Sequence, residues 1–266
     1  MIKVAVVGAA GRMGRRFVAN ICASNDMELS GALEIENSPF MGQDAGVVAA
    51  CGECGCLIST NSDEVFAKSD AVINFSTAGV LESTKIALKY GCKVVIGTTT
   101  LTSDEKAELK ELAEKGAIVF APNMSIGVNL LFYLSRKAAE ILNEDFDIEV
   151  VEMHHNLKKD APSGTAVRLG EILCEARGLD YDKDVRHGRE GLVGERTKKE
   201  IGMHALRGGD VVGDHTVMFA ANGERVELTH KASSRDTFAR GALQAVRFLM
   251  DKKSGMYDMQ DVLNLK

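Results

Sequence analysis

Proline is scarce in this sequence, with three residues among 266, and tryptophan is absent. Glycine, by contrast, occurs 26 times. Few prolines and many glycines point to regular elements joined by compact turns, and to ligands held by backbone groups. An excess of positive charge is also missing: 32 Lys and Arg face 38 Asp and Glu, a net charge of -6 at pH 7. That balance argues against a nucleic-acid partner, so any anionic substrate must be held by a local cluster of donors. No apolar run approaches the roughly 18–20 residues that cross a bilayer. The apolar start MIKVAVVGAAGRMG breaks at a glycine loop followed by arginines, without a secretory or lipidation signal. The expectation is a cytoplasmic protein with no membrane partner.

Six cysteines in a chain of this length do not make a disulfide framework, and a cytosol keeps them reduced. The tract CGECGC gathers Cys51, Cys54 and Cys56, while Cys22, Cys92 and Cys174 are scattered along the sequence. Structural zinc normally takes four ligands, and no second cysteine pair is present. Reduced thiols in a Gly/Cys loop, with no metal, is the preferred reading; a thiolate metal or redox site is the alternative.

What is present is globular. Apolar residues make up 45% and charged residues 26%, close to the usual values of about 45–50% and about 25%. The length suits about two domains at roughly 150 residues each. The almost wholly apolar run Met1–Val7 reads as a strand buried on both faces, followed by a glycine turn and the helical pattern RMGRRFVANICAS. Further strands are expected at Leu29–Glu34, Asp70–Phe75, Lys93–Ile96 and AIVFAPN. Between the last three lie helices VLESTKIALKY and DEKAELKELAEK, the second opened by a Thr102–Glu105 capping box. Strands alternating with helices imply right-handed βαβ units, hence a doubly wound parallel sheet in the first ~125 residues.

The rhythm then changes. A long helix near Ile126–Asn143 precedes strand DIEVVEM, a polar loop and helix TAVRLGEILCEAR. Alternating segments near Lys199–Leu206, Val211–Ala220 and Arg225–Lys231, with turns between them, read as a meander. This half is expected to be α+β with a mostly antiparallel sheet. The charged stretch from Asp180 to Lys199 reads as a long exposed loop, and a last amphipathic helix is expected near Phe238–Met250.

Two constellations carry chemistry. The first is Gly8-Ala9-Ala10-Gly11-Arg12-Met13-Gly14, between a strand and a helix. Glycines there let the backbone approach a pyrophosphate, whose charge rests on the helix N-terminal amides. Glu34 closes the second strand about 20 residues later, where a carboxylate accepts from ribose hydroxyls. Gly97-Thr98-Thr99 and Ala121-Pro122-Asn123-Met124 follow the fourth and fifth strands and are expected along the same carboxyl edge, beside a nicotinamide. After Glu34 come Ile35, Glu36 and Asn37, with no cation for a 2′-phosphate; Arg12, Arg15 and Arg16 are the alternatives. The cofactor expectation is NAD(P)H, with NADH at least as good as NADPH.

The second constellation is EMHHNLKKDAPSGT, Glu152 to Thr165, with Ser163 as a helix N-cap. His154, His155, Lys158 and Lys159 form the densest polar cluster of an acidic chain. A His–Lys pair can supply a proton and hold carboxylates, and the helix-start amides of Gly164 and Thr165 can bind an anion. A solvated basic loop is the competing reading, and a metal site using Asp160 a third.

With VAVVGAAGRMGR, VINFST, VIGTTT, VFAPNMSIGVN, EMHHNLKKDAPSGTA, RGGDVVGDHTVMF and RVELTHKASSRDTFARGA, the sequence resembles the dihydrodipicolinate reductase family over essentially its whole length. The HH…K.DAPSGTA element is highly specific. The resemblance implies a Rossmann-type dinucleotide-binding domain of residues 1–125 and 235–266. Residues 126–234 would be the substrate-binding domain, through whose sheets a homotetramer is built. It implies reduction of 4-hydroxy-tetrahydrodipicolinate, a small dicarboxylate, to tetrahydrodipicolinate with loss of water, in lysine and diaminopimelate biosynthesis. It also implies proton transfer by His154 and Lys158, and substrate carboxylates bound by His155 and the Gly164 and Thr165 amides. Where Asn156 and Leu157 stand, the family often has basic residues. Two rivals remain in view: a nucleotide sensor without chemistry, and a Rossmann reductase for an amino acid or a sugar.

Overall fold

The computed structural model describes every residue from Met1 to Lys266. Its first strand, β1 (Ile2–Val7), is buried at Val4, Ala5 and Val6. Successive side chains point to opposite sides of a strand; Val4 and Val6 therefore join one core while Ala5 joins another. After the glycine turn come α1 (Gly14–Cys22), β2 (Met27–Leu33), α2 (Ala45–Val48), β3 (Ile58–Ser59), α3 (Ser62–Phe66) and β4 (Ala71–Asn74). Then follow α4 (Val80–Lys89), β5 (Lys93–Ile96), α5 (Ser103–Ala113) and β6 (Ala117–Phe120). The Thr102–Glu105 capping box opens α5 in full, each side chain accepting from the other's backbone N–H. The short β3 escaped the sequence reading, because two residues are too few to show any periodicity.

From Gly127 to Ser234 the chain forms a second compact unit. It contains most of α6 (Ile126–Ile141), then β7 (Asp147–His154), α7 (Gly164–Arg177), α8 (Tyr181–Asp184), β8 (Val185–His187), β9 (Ile201–Arg207), β10 (Gly213–Ala221) and β11 (Glu224–Ala232). Its sheet runs β11-β10-β7-β9-β8 and is mixed, with β10 antiparallel to both β11 and β7 and with β9 parallel to β7 and β8. The expected meander is therefore corrected: β9 and β10 are not neighbours, because β7 lies between them. Adjacent segments alone do not reveal such an insertion. One face of this sheet packs Ile148, Val150, Val217 and Phe219 against Leu131, Leu169 and Leu173 of α6 and α7.

The charged stretch from Asp180 to Lys199 is also corrected, since it carries α8 and β8 and is pinned by two arginines. Arg189 and Arg196 both bond the Glu149 carboxylate, and Arg189 reaches Glu200 as well. Burial alone would raise the Glu149 carboxyl, but these guanidinium groups and His204 hold it well below the usual carboxylate range. Gly202 leaves room for that carboxylate, which a Cβ there would overlap.

The chain returns to the first unit at Arg235, with α9 (Asp236–Leu249), β12 (Gly255–Tyr257) and α10 (Met259–Val262). The first sheet is wholly parallel, in the order β12-β6-β5-β4-β1-β2-β3. α1 and α9 cover one face through Phe17, Ile21, Ala242, Val246 and Leu249. The other face is covered from α3, α4 and α5 by Phe66, Ala87 and Leu109. Cys22 is not isolated, as its sequence position suggests: its thiol adjoins those of Cys51 and Cys54, and burial with these neighbours pushes it up to about 12. All six cysteines are free thiols. No helix is long and apolar enough to cross a membrane.

Candidate active site

In the first unit the candidate residues converge because the strands are parallel and in register. Val7 pairs with Leu33 and with Asn74, Asn74 with Ile96, and Ile96 with Phe120. The residues that follow these strand ends, Gly8, Glu34, Gly97 and Ala121, thus share the carboxyl edge, where β1 sits between β4 and β2. That is the topological switch point at which doubly wound sheets bind ligands.

The glycine loop is as tight as its sequence demands. Gly8 adopts φ +75°, and a Cβ at Gly14 would overlap the Gly8 carbonyl and the Ala9 backbone. Ala9 and Ala10 are buried, Arg12 is exposed, and Met13 packs against the core. The Glu34 carboxylate accepts the Ala10 N–H at 2.9 Å, joining the loop to the end of β2. Arg15 donates Nε–H to the Ala10 carbonyl at 2.7 Å and stacks over the Phe40 ring at 4.7 Å. The tight turn at the start of α1 and the close approach that Gly14 permits fit a dinucleotide pyrophosphate. On the neighbouring loops Thr98, Ala121 and Met124 turn their side chains inward, whereas Thr99 and Pro122 are exposed. The Asn123 side chain accepts from the Ser125 N–H.

The second constellation lies in the other unit, at the end of β7. Its loop is fastened to the segment after β9: His155 N–H donates to the Val211 carbonyl at 2.8 Å and Asn156 N–H to Gly209 at 3.2 Å. Lys158 Nζ donates to both Asp160 oxygens at 2.8 Å. Ser163 caps α7 by accepting the Ala166 N–H. Gly164 and Thr165 form the first turn of this 14-residue helix, and the Cβ position of Gly164 is open space. His155 Nδ1 is buried without a hydrogen-bond partner.

Three residues here were missed by sequence reasoning. Glu152 is fully buried, and its Oε2 lies 2.6 Å from His154 Nδ1. Arg207 grips both oxygens of that carboxylate, at 2.8 and 2.9 Å, and Ser163 N–H donates to it at 3.0 Å. Burial raises the Glu152 carboxyl, yet these donors outweigh burial and hold it below the ordinary range. His215, from β10, is buried with Nε2 3.1 Å from Ser163 Oγ and its ring edge-on to His154 at 5.3 Å. Burial, with positive neighbours, pushes its imidazole down to about 4. Strand alternation places Glu152 and His154 on one face and could have flagged the first; only the sheet pairing reveals the other two. The metal reading finds its parts otherwise engaged, Asp160 by Lys158 and His154 by Glu152.

Comparison with known proteins agrees over the whole chain. Residues 2–124 match the family described as dihydrodipicolinate reductase, N-terminus, and residues 127–263 its C-terminus. The chain is 51% identical over 267 aligned positions to 4-hydroxy-tetrahydrodipicolinate reductase of Syntrophotalea carbinolica, and 50% to that of Geotalea daltonii, with complete coverage of both chains in each case. Among solved structures, a dipicolinate-bound dihydrodipicolinate reductase from Paenisporosarcina sp. TG-14 superposes with TM-score 0.78 at 25% identity, over 98% of each chain. A myo-inositol dehydrogenase from Lactobacillus casei shares the fold, with TM-score 0.59 at 13% identity over 100% of this chain and 91% of its own.

Proposed function

The chain belongs to the dihydrodipicolinate reductase family, and from that membership we propose that His154 and Lys158 handle the proton of its reaction. The enzyme is an oxidoreductase that reduces 4-hydroxy-tetrahydrodipicolinate with NAD(P)H to tetrahydrodipicolinate, releasing water, in lysine biosynthesis. The nicotinamide cofactor supplies the hydride, which enters an electron-poor conjugated imine carbon. The electron pair it displaces moves away from that carbon along the conjugated C=N system, and Lys158 is the acid that supplies the balancing proton there, with His154 relaying it. The observation that carries this reading is the clustering of Lys158, His154 and the α7 N-terminus around one loop.

His155 and the Gly164 and Thr165 amides hold the substrate carboxylates, an assignment supported by the open space at Gly164 and the unpartnered His155 Nδ1. Gly8 to Met13, Glu34, Gly97 to Thr99 and Ala121 to Met124 hold the cofactor, with NADH used at least as well as NADPH. The unit of residues 127–234 is then the substrate-binding one. Its sheet face opposite α6 and α7 bears half-buried Val151, Met153 and Met218, the surface for a homotetramer; sedimentation at micromolar concentration tests that assembly. A cytoplasmic location completes the reading.

The test is Lys158→Ala, assayed by loss of NADH absorbance with enzymatically generated substrate. General acid catalysis typically contributes about 10²–10⁴-fold, so turnover falls by that order while NADH affinity stays nearly intact. Near-normal turnover would remove Lys158 from the mechanism.

A further inference from the structure

His154 has charged and titratable neighbours on each adjoining strand: Glu152 on its own strand, Arg207 from β9 and His215 from β10, with the Lys158–Asp160 ion pair in the loop that follows it. Only Glu152 hydrogen-bonds the ring. An ionised carboxylate accepts and cannot donate, so Nδ1 carries the hydrogen and Nε2 is left to exchange a proton. Nε2 in turn lies over Gly213, whose missing side chain leaves it room.

Arg207 stands on the other side of the same carboxylate. It pairs with His154 in the β7–β9 register, and its two terminal nitrogens bond the two Glu152 oxygens side by side, the fork geometry that holds a carboxylate best. The remaining bond to Glu152, from Ser163 N–H, ties the same carboxylate to the helix whose first amides face the anion site.

We propose that Glu152 and Arg207 act as a positioning pair for His154, the carboxylate fixing its tautomer and orientation and the guanidinium balancing the carboxylate's charge. The pair lets one ring both accept and release a proton, and it joins the proton relay to the carboxylate-binding helix end. This inference rests on the reading of His154 as a proton-handling residue.

Three variants of the full-length enzyme test it: Glu152→Gln, Arg207→Gln and Arg207→Lys. The ring ¹⁵N signals of His154, assigned by comparison with His154→Asn, read the tautomer without any turnover. The wild type shows hydrogen on Nδ1; Glu152→Gln loses that signature, because its amide NH₂ can donate to Nδ1. In kinetics, Glu152→Gln lowers kcat about tenfold or more with an unchanged KM for NADH. The limb of the kcat–pH profile moves about one pH unit lower in Glu152→Gln and about one higher in Arg207→Gln, while Arg207→Lys stays near the wild type. A purely structural role would not move the two profiles in opposite directions. An unaltered tautomer in Glu152→Gln, or shifts of the same sign in both variants, overturns the pair. A changed tautomer with unchanged kcat upholds the pair and instead removes His154 from the proposed chemistry.

Discussion

Gly213 lies against the ring of His154, so that a Cβ at this position would stand 2.9 Å from Nε2. That is closer than real Cβ contacts allow, and the ring is held from behind by Glu152. The methyl group of Gly213→Ala therefore tilts the imidazole instead of finding space. Misplacing a reacting group by a fraction of an ångström to 1 Å can lower rates by up to about 100-fold. We expect kcat to fall about 10- to 100-fold, with NADH affinity unchanged and thermal unfolding within a few degrees of wild type. Wild-type kcat in Gly213→Ala would mean that the ring position does not matter to turnover.

Acid sensitivity should trace to His215. Its Nε2 faces a serine hydroxyl already used as a helix cap, and burial keeps the imidazole neutral down to pH of about 4. In the unfolded chain the same group takes its proton near 6.5. Between those values the unfolded state binds more protons, so stability is full above about pH 6.5 and declines as pH falls toward 4. The loss over that interval is on the order of 3 kcal/mol. Urea unfolding at pH 7 and pH 4.5 should show a smaller drop for His215→Gln than for the wild type. Equal drops in the two proteins would place the acid sensitivity elsewhere.

Cofactor choice should turn on Glu34. Its carboxylate sits at the end of β2 and holds the Ala10 N–H, and on the proposed cofactor placement it would oppose a 2′-phosphate. Arg15 is engaged by the Ala10 carbonyl and the Phe40 ring, whereas Arg12 is exposed. A charge-assisted bond to phosphate is worth roughly 1.5–3 kcal/mol, so NADH should match or exceed NADPH in kcat/KM. Glu34→Ala should weaken NADH while sparing NADPH. A clear NADPH preference in the wild type would assign the missing cation to one of Arg12, Arg15 and Arg16.

Much of this was legible in the chain because the decisive features are local. The glycine loop, the Thr102 capping box and the Ser163 cap each span a few residues, and local sterics and hydrogen bonding determine them. The parallel sheet was legible from its alternating apolar runs. What escaped depends on pairing between distant segments. Arg207 meets Glu152 only because β9 lies parallel to β7, and the arginines of the charged stretch reach Glu149 only across the same sheet. Cys22 meets Cys51 and Cys54 because α1 packs beside the loop, a contact no cysteine spacing encodes.

The first unit is assembled from two separated stretches of chain, with residues 127–234 between them. A ribosome therefore delivers β1 to β6 long before α9, whose Ala242, Leu243, Val246 and Leu249 complete the core over Val6, Ile73 and Val95. Through that interval the nascent sheet keeps an apolar face uncovered, while the second unit, continuous in sequence, already has all of its strands and helices. Domains generally fold as units during synthesis. Here the part made second can close first, and the cofactor-binding half must wait for the chain to come back to it.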